Sequence, residues 1–176
     1  MRVLFIVPPE ETYIGAGAHE VLDRKREARP KLGILYVASY LKSKRPDIDV
    51  KFLDCPALNI NFDDLPDYVK SFNPDVIGIT AVTFTIVDAL KAAEIGKTAQ
   101  PNAIVVMGGV HVTYYPRETL VSDNVDVVVL GEGEITFFEL IEKLKKNSPL
   151  SEILGIAYKD KNDISILIHS GQKLKI

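Results

Sequence analysis

Short apolar runs alternate with amphipathic segments five times along this chain, and this alternation limits the possible folds more than any other feature. Each run is four to six residues long and rich in β-branched residues, as in strands that are buried on both faces. The five runs are Val3–Val7, Val50–Leu53, Asp75–Thr80, Ala103–Met107 and Val125–Leu130. Repeated strand–helix units predict an α/β fold: a doubly wound, Rossmann-like (flavodoxin-like), five-stranded parallel sheet in the order 2-1-3-4-5.

The segments between the runs predict the helices and turns. Lys31–Lys44 carries apolar residues at helical spacing, and a later helix should be capped by Asp63 or Asp64. Asp54–Pro56 reads as a turn, and Thr113 should open a short helix that reaches Leu120.

Two further segments stand apart from the alternation. Residues 10–30 lack periodicity, which leaves a functional loop or disorder open. Two β-rich runs, 153–158 and 164–168, predict an antiparallel hairpin near the end of the chain. We therefore expect a Rossmann-like domain over residues 1–150, and a hairpin with the start of a linker over 151–176.

Composition excludes several classes of function. The 176 residues carry a net charge of −3 with scattered lysine and arginine, so we expect no nucleic-acid partner. A single cysteine, Cys55, excludes an internal disulfide and a multi-cysteine metal site within this sequence. The N-terminal apolar run is too short for a signal peptide or a membrane span, and we predict a cytoplasmic protein.

Motifs for catalysis or metal binding are missing from the expected places. No serine lies in a nucleophile-elbow context, and no two carboxylates are placed as an acid and a base. The three histidines, His19, His111 and His169, are far apart in the sequence, which argues against a metal site. A phosphorylated receiver domain needs an aspartate and a lysine where Thr80 and Gly131 stand.

Ligands of such sheets bind beyond the carboxyl ends of the strands, where small-residue loops follow three of the runs. These loops are Thr80–Thr85, Gly108–Gly109 and Gly131–Glu134. The glycine pair either makes the turn or exposes bare backbone to a ligand, and Glu132 and Glu134 either cap a helix or contact the ligand. If the pair serves a ligand, Gly109→Val should weaken binding and leave the fold largely intact.

Four segments in this order resemble the N-terminal cobalamin-binding domain of cobalamin-dependent radical S-adenosylmethionine proteins, which include the anaerobic magnesium-protoporphyrin ester cyclase and methyltransferases. They are Leu4–Pro9, Leu32–Leu41, Gly108–Thr113 and Gly131–Glu134. The resemblance covers about residues 1 to 170. It implies a domain that holds cobalamin with its nucleotide tail extended into the carboxyl edge of the sheet.

The resemblance also implies which residues bind the cofactor. The loops that would line the tail and the corrin contain Thr80, Ala81, Val82, Thr83, Phe84, Gly108, Gly109, Val110, His111, Gly131, Glu132, Gly133 and Glu134. Cobalamin mutases and methionine synthase carry an Asp-x-His-x-x-Gly loop whose histidine is the lower cobalt ligand, and this sequence lacks that motif. We therefore expect cobalamin in its base-off form with no histidine below the cobalt.

Relatives of this kind continue into a radical S-adenosylmethionine barrel with a Cys-x-x-x-Cys-x-x-Cys motif, which one cysteine cannot supply. The resemblance thus implies a cofactor carrier whose partner is that barrel, with the iron-sulfur cluster and S-adenosylmethionine in the barrel. The chemistry would be methyl transfer or oxidative cyclisation. Two alternatives remain: a regulatory or interaction domain that has lost cobalamin, and an enzyme that binds another nucleotide-like ligand at the same edge.

Overall fold

The computed structural model describes residues 1–12, 30–160 and 163–167, and their strands form a single sheet. The strands are β1 (Arg2–Val7), β2 (Asp49–Asp54), β3 (Val76–Thr80), β4 (Ile104–Gly108), β5 (Val127–Val129), β6 (Ile156–Asp160) and β7 (Asp163–Leu167). Their order in the sheet is β2-β1-β3-β4-β5-β6-β7.

The first five strands pair in parallel, in the order that the sequence predicts. The predicted hairpin is also present, because β6 and β7 pair in an antiparallel fashion. β6 further pairs with β5, so the hairpin continues the sheet and raises the strand number from five to seven among the described residues.

Helices cover both faces of this sheet, which confirms the doubly wound prediction. They are α1 (Leu32–Lys44), α2 (Cys55–Leu58), α3 (Leu65–Phe72), α4 (Ile86–Ala99), α5 (Val110–Tyr114), α6 (Pro116–Leu120) and α7 (Glu134–Lys145), with 3-10 turns at Thr83–Thr85 and Leu150–Glu152. One core cluster lies between the sheet and α1 with α7. The other joins the opposite face to α3, α4, α5 and α6.

The helix predicted to begin at Thr113 begins three residues earlier and is broken in two. Val110 starts α5, and the backbone N–H and hydroxyl of Thr113 both donate to the carbonyl of Gly109, at 3.2 and 2.9 Å. Pro116 then begins a second helix, α6, because proline fits the first turn of a helix but not its interior.

Two smaller predictions about local structure are also wrong. Asp64 precedes α3 without capping it, and Asn61 instead accepts hydrogen bonds from the backbone N–H groups of Asp63 and Asp64 at 2.8 and 3.0 Å. Cys55 opens the short helix α2 instead of a plain turn, because the Asp54 carboxylate accepts from the N–H of Ala57 at 3.2 Å.

An ion-pair cluster joins the C-terminal ends of α1 and α7, far from the carboxyl edge of the sheet. Arg45, just after α1, pairs with both Asp47 and Glu142, and Lys145 approaches Asp47 at 3.1 Å. The hydrogen bonds from Arg45 and Lys145 hold the pKa of Asp47 well below its usual range. The cluster fixes the two helices to each other at one end.

The loop predicted over residues 10–30 falls largely outside the described residues, as do the segment from Ser170 onward, His19 and His169. At the described margin, the backbone N–H of Thr12 donates to both carboxylate oxygens of the buried Asp88, at 3.0 and 3.1 Å. Within the described ranges, no helix has the length and hydrophobicity needed to cross a membrane.

Candidate functional site

A cleft opens at the carboxyl edge of the sheet, between the N-terminal ends of α1 and α7. It encloses about 610 Å³, counting its open mouth. Its lining comes from three strands of the sheet's centre, from β5, from both helices and from the loop before α7: Phe5, Gly33, Ile34, Val37, Gly78, Ile79, Thr80, Val106, Gly108, Gly109, Val129, Gly131, Glu132, Gly133, Glu134 and Phe137.

The inner end of the cleft is apolar and aromatic. Phe5, Gly78 and Val106 are neighbours across β1, β3 and β4 and point to the same face of the sheet. The Phe5 ring lies over Gly78, and a Cβ built on that glycine would come within 2.8 Å of Phe5 Cδ1. The ring can lie this close because glycine has no side chain. Phe137 of α7 packs beside it, with 5.0 Å between the ring centroids.

The mouth of the cleft is made by residues without bulky side chains. A Cβ built on Gly33, Gly108 or Gly131 meets no atom within 4 Å, so all three border open space. The polar side chains in the lining are Thr80, Glu132 and Glu134, and they belong to the end of β3 and to the loop and first residue that begin α7. The cleft is therefore polar at its rim and apolar inside.

The two glycines at the end of β4 have different roles: Gly108 is its last residue and Gly109 follows it. Gly108 has an ordinary backbone and open space beside it, whereas Gly109 has φ 113° and ψ 179°, a conformation that is almost restricted to glycine. A Cβ on Gly109 would also lie 2.4 Å from the carbonyl oxygen of Ala81. The expectation that Gly109→Val would leave the fold largely intact is therefore wrong, because any side chain at this position presses on the backbone of Ala81.

Thr113 connects two of the loops that border the cleft. Its hydroxyl donates to the carbonyl of Gly109 at 2.9 Å and accepts from the backbone N–H of Gly131 at 3.0 Å. Sequence reasoning placed Thr113 at a helix start and missed this bridge. The sequence indicates only the bond to Gly109. Thr113 stands four residues after that glycine, and a threonine inside a helix can bond the carbonyl four residues before it.

The structure brings part of the predicted site together in the cleft. Thr80, Gly108, Gly109, Gly131, Glu132, Gly133 and Glu134 line it. The other predicted residues do not: Ala81 is fully buried in the core on the opposite face of the sheet, and Val82, Phe84 and Val110 are exposed beyond the strand ends.

His111 and Thr83 form a pair at this outer surface. The Nδ1 atom of His111 lies 3.3 Å from the Thr83 hydroxyl, and the imidazole ring packs on Tyr115 with 5.0 Å between centroids. Within residues 1–12, 30–160 and 163–167, no cluster of three or more histidine, cysteine or acidic side chains could hold a metal ion. His111 thus contacts Thr83 and Tyr115 and belongs to no such cluster among the described residues.

Sequence reasoning missed the rest of the lining of the cleft. Most of these residues lie in runs that read as ordinary core: Phe5, Gly33, Ile34, Val37, Gly78, Ile79, Val106, Val129 and Phe137. Gly78 was the available signal, since an isolated glycine inside a strand often marks a close approach by a ring, a backbone or a ligand.

Comparison with known proteins assigns the chain to a family. Residues 24–141 match the B12 binding domain family. The chain belongs to this family. An uncharacterized methyltransferase of Pyrococcus horikoshii is 39% identical over 168 residues, which are 93% of this B12-binding domain and 34% of the relative. The anaerobic magnesium-protoporphyrin IX monomethyl ester cyclase of Rubrivivax gelatinosus is 32% identical over 90% of the chain and 28% of its own length.

A solved structure with the same fold is that of OxsB, a cobalamin-dependent S-adenosylmethionine radical enzyme with aqua-cobalamin and S-adenosylmethionine bound. It superposes with a TM-score of 0.75 and 20% identity, over 95% of this B12-binding domain and 22% of the enzyme. The family match and the sequence relatives together confirm the resemblance to the cobalamin-binding domains of such proteins, and the superposition confirms the fold. The domain spans about a third or less of the length of these relatives.

Proposed function

We propose that this B12-binding domain carries cobalamin for a radical S-adenosylmethionine protein that performs methyl transfer or oxidative cyclisation. The cleft at the carboxyl edge of the sheet is the observation that supports this most strongly. In the proposal, a barrel domain is the partner and holds the iron-sulfur cluster and S-adenosylmethionine. We also assign the protein to the cytoplasm.

The residues that line the cleft suit the nucleotide tail of cobalamin. The tail is long and ends in a flat aromatic base, and the cleft offers an open mouth bordered by Gly33 and Gly108 and an apolar lining that includes Ile34 and Val37. Glu132 and Glu134 at the rim can accept hydrogen bonds from the side-chain amides of a corrin ring. The corrin would then lie over the strand ends, near the exposed Val110.

The lower face of the cobalt would have no histidine in this proposal. The loop after β1 begins with Pro8 and Pro9 in place of a histidine motif. His111 contacts Thr83 and Tyr115 at the outer surface. When bound, the cofactor supplies the organometallic chemistry, and the residues of this domain hold its tail and shield it from water.

Open space at Gly108 bears on the alternative of a domain that has lost its cofactor. Bulky side chains over Gly108 would support that alternative. None is found there, because a Cβ built on this glycine meets no atom within 4 Å. This favours retained binding over a degenerate site.

The test is a visible spectrum of the purified protein after incubation with hydroxocobalamin and desalting. We expect retained cofactor with a shifted, base-off spectrum. Gly33→Leu should abolish retention because its side chain enters the open mouth, while Ser39→Leu, an exposed position of the same helix outside the cleft, should not. A colourless wild-type protein, or equal retention by both variants, contradicts the proposal.

A further inference from the structure

Asp88 is a buried carboxylate that does not line the cleft. It lies in the first turn of α4, which packs on the face of the sheet opposite to α1 and α7, and it is 0% exposed. Both of its carboxylate oxygens accept from the backbone N–H of Thr12, at 3.0 and 3.1 Å. Burial of a carboxylate is costly unless hydrogen bonds satisfy it, so this contact fastens Thr12 firmly to α4.

Glu11 makes two further contacts from the same segment, residues 8–12. One of its carboxylate oxygens lies 3.8 Å from Lys91 Nζ of α4, and the other accepts from the backbone N–H of Phe62 at 3.4 Å. The side chains of Lys91 and Glu11 are 49% and 47% exposed, and ion pairs at such exposure contribute little. The buried Asp88 is therefore the stronger of the two links between the segment and α4.

The segment held in this way borders a recess beside the cleft. The recess encloses about 230 Å³, counting its open mouth. Its polar and proline lining residues are Pro8, Glu10, Lys31, Thr80 and Thr85. Lys31 Nζ lies 3.1 Å from the Glu10 carboxylate and so joins the segment to the start of α1. Thr80 lines both the recess and the cleft, and a ligand that extends from the cleft along the strand ends reaches the segment there.

We infer that Asp88 is a positioning residue for the ligand site, because it holds residues 8–12 in place as a preformed wall of that site. This inference rests on the proposed function. At 0% exposure Asp88 does not touch the ligand itself, and it acts through Thr12. A wall that is already ordered in the free protein spares the ligand the entropic cost of ordering it, and binding is tighter for that reason.

Titration of the purified protein with hydroxocobalamin tests the inference through two variants of Asp88. Asp88→Ala removes both acceptors of the Thr12 N–H and should raise Kd about tenfold, which is the effect of losing one hydrogen bond to a charged group. Asp88→Asn keeps one acceptor oxygen and should restore Kd to within about threefold of the wild-type value.

Asp126 supplies the matched control at the opposite edge of the sheet. It lies just before β5, its carboxylate accepts from the backbone N–H of Val105 at 2.7 Å, and it pairs with Lys97 at 2.7 Å. Asp126→Ala should lower Tm, as Asp88→Ala should, but leave Kd for hydroxocobalamin unchanged. A purely structural role for Asp88 predicts the same Kd for both alanine variants.

A second pair of variants applies even if Asp88→Ala fails to fold. Thr12 is exposed, so Thr12→Pro removes the N–H donor and leaves every core side chain in place, whereas Thr12→Ala keeps the donor. Thr12→Pro should raise Kd about tenfold, and Thr12→Ala should match the wild type.

The outcomes separate the inference from the proposed function. If the wild-type protein binds no corrinoid, the proposed function fails and the inference falls with it. If the wild type binds, but Asp88→Ala binds as tightly as Asp126→Ala or Thr12→Pro as tightly as Thr12→Ala, the inference alone is overturned.

Discussion

Replacing Gly108 and Gly109, at the end of β4, one at a time by alanine separates the architectural role of this turn from its role at the cleft. At Gly109 the new methyl group would lie 2.4 Å from the carbonyl oxygen of Ala81, and the backbone at φ 113° and ψ 179° would be strained. That conformation alone costs about 1–3 kcal/mol in a residue with a side chain. The methyl group would also lie 3.2 Å from the Ala81 nitrogen, whose N–H donates to the Gly108 carbonyl at 2.9 Å, and so disturb that hydrogen bond.

We therefore expect Gly109→Ala to lower the free energy of unfolding by about 2 kcal/mol or more, given the strain and the close contact together. For a chain of this length such a loss lowers Tm by about 4–8 °C. Gly108→Ala should change Tm by less than about 2 °C, because its Cβ meets no atom within 4 Å.

Thermal unfolding followed by circular dichroism, with urea titration as a second measure, gives both values. Equal Tm values for the two variants would refute the assignment of the strained turn to Gly109. The larger Gly108→Leu variant extends the test to function, since its side chain enters the mouth of the cleft and should reduce cobalamin retention in a folded protein.

Three further predictions concern other parts of the structure. Thr113→Val removes the bridge to Gly131 and should lower the free energy of unfolding by about 1–2 kcal/mol in a urea titration; no loss would show that water replaces the bridge. Burial, together with the nearby charge of Asp54, raises the pKa of Cys55 to about 12, so a thiol reagent at pH 8 should modify it only after unfolding; rapid labelling of the native protein would contradict its burial. Because hydrogen bonds from Arg45 lower the folded-state pKa of Asp47, its charge adds stability above the unfolded-state pKa of about 4, and that contribution is lost as the pH falls through the lower folded value. The Tm difference between wild type and Asp47→Asn should therefore shrink below about pH 4, and a constant difference would exclude this linkage.

The sheet could be predicted from the sequence because its signals are local and repeated. Each apolar run ends at a glycine, a proline or a polar residue, and parallel strands joined by helices leave few allowed arrangements. The order 2-1-3-4-5 followed from this topology, and β1 and β3 do pair as neighbours. The attachment of β6 to β5 did not follow, because a hairpin signal describes its own two strands and not the strand beside them.

The cleft was only half predictable, since its two ends are made in different ways. Gly108 and Gly131 belong to loops, where small residues are conspicuous in the sequence. Phe5 and Val106 lie in apolar strands and are indistinguishable there from residues that only fill the core. Ala81 was assigned to the cleft because it follows a strand, yet the turn sends it to the opposite face of the sheet.

The ion-pair cluster of Arg45, Asp47, Glu142 and Lys145 lies at the opposite end of α1 and α7 from the cleft. Both helices begin at the carboxyl edge of the sheet, and between that edge and the ion pairs they also contact each other through the rings of Tyr40 and Phe138, 6.0 Å apart. Charge therefore joins the helices at the edge away from the cleft, and aromatic packing joins them midway. A substitution in the ion-pair cluster is expected to lower stability without changing any residue that lines the cleft.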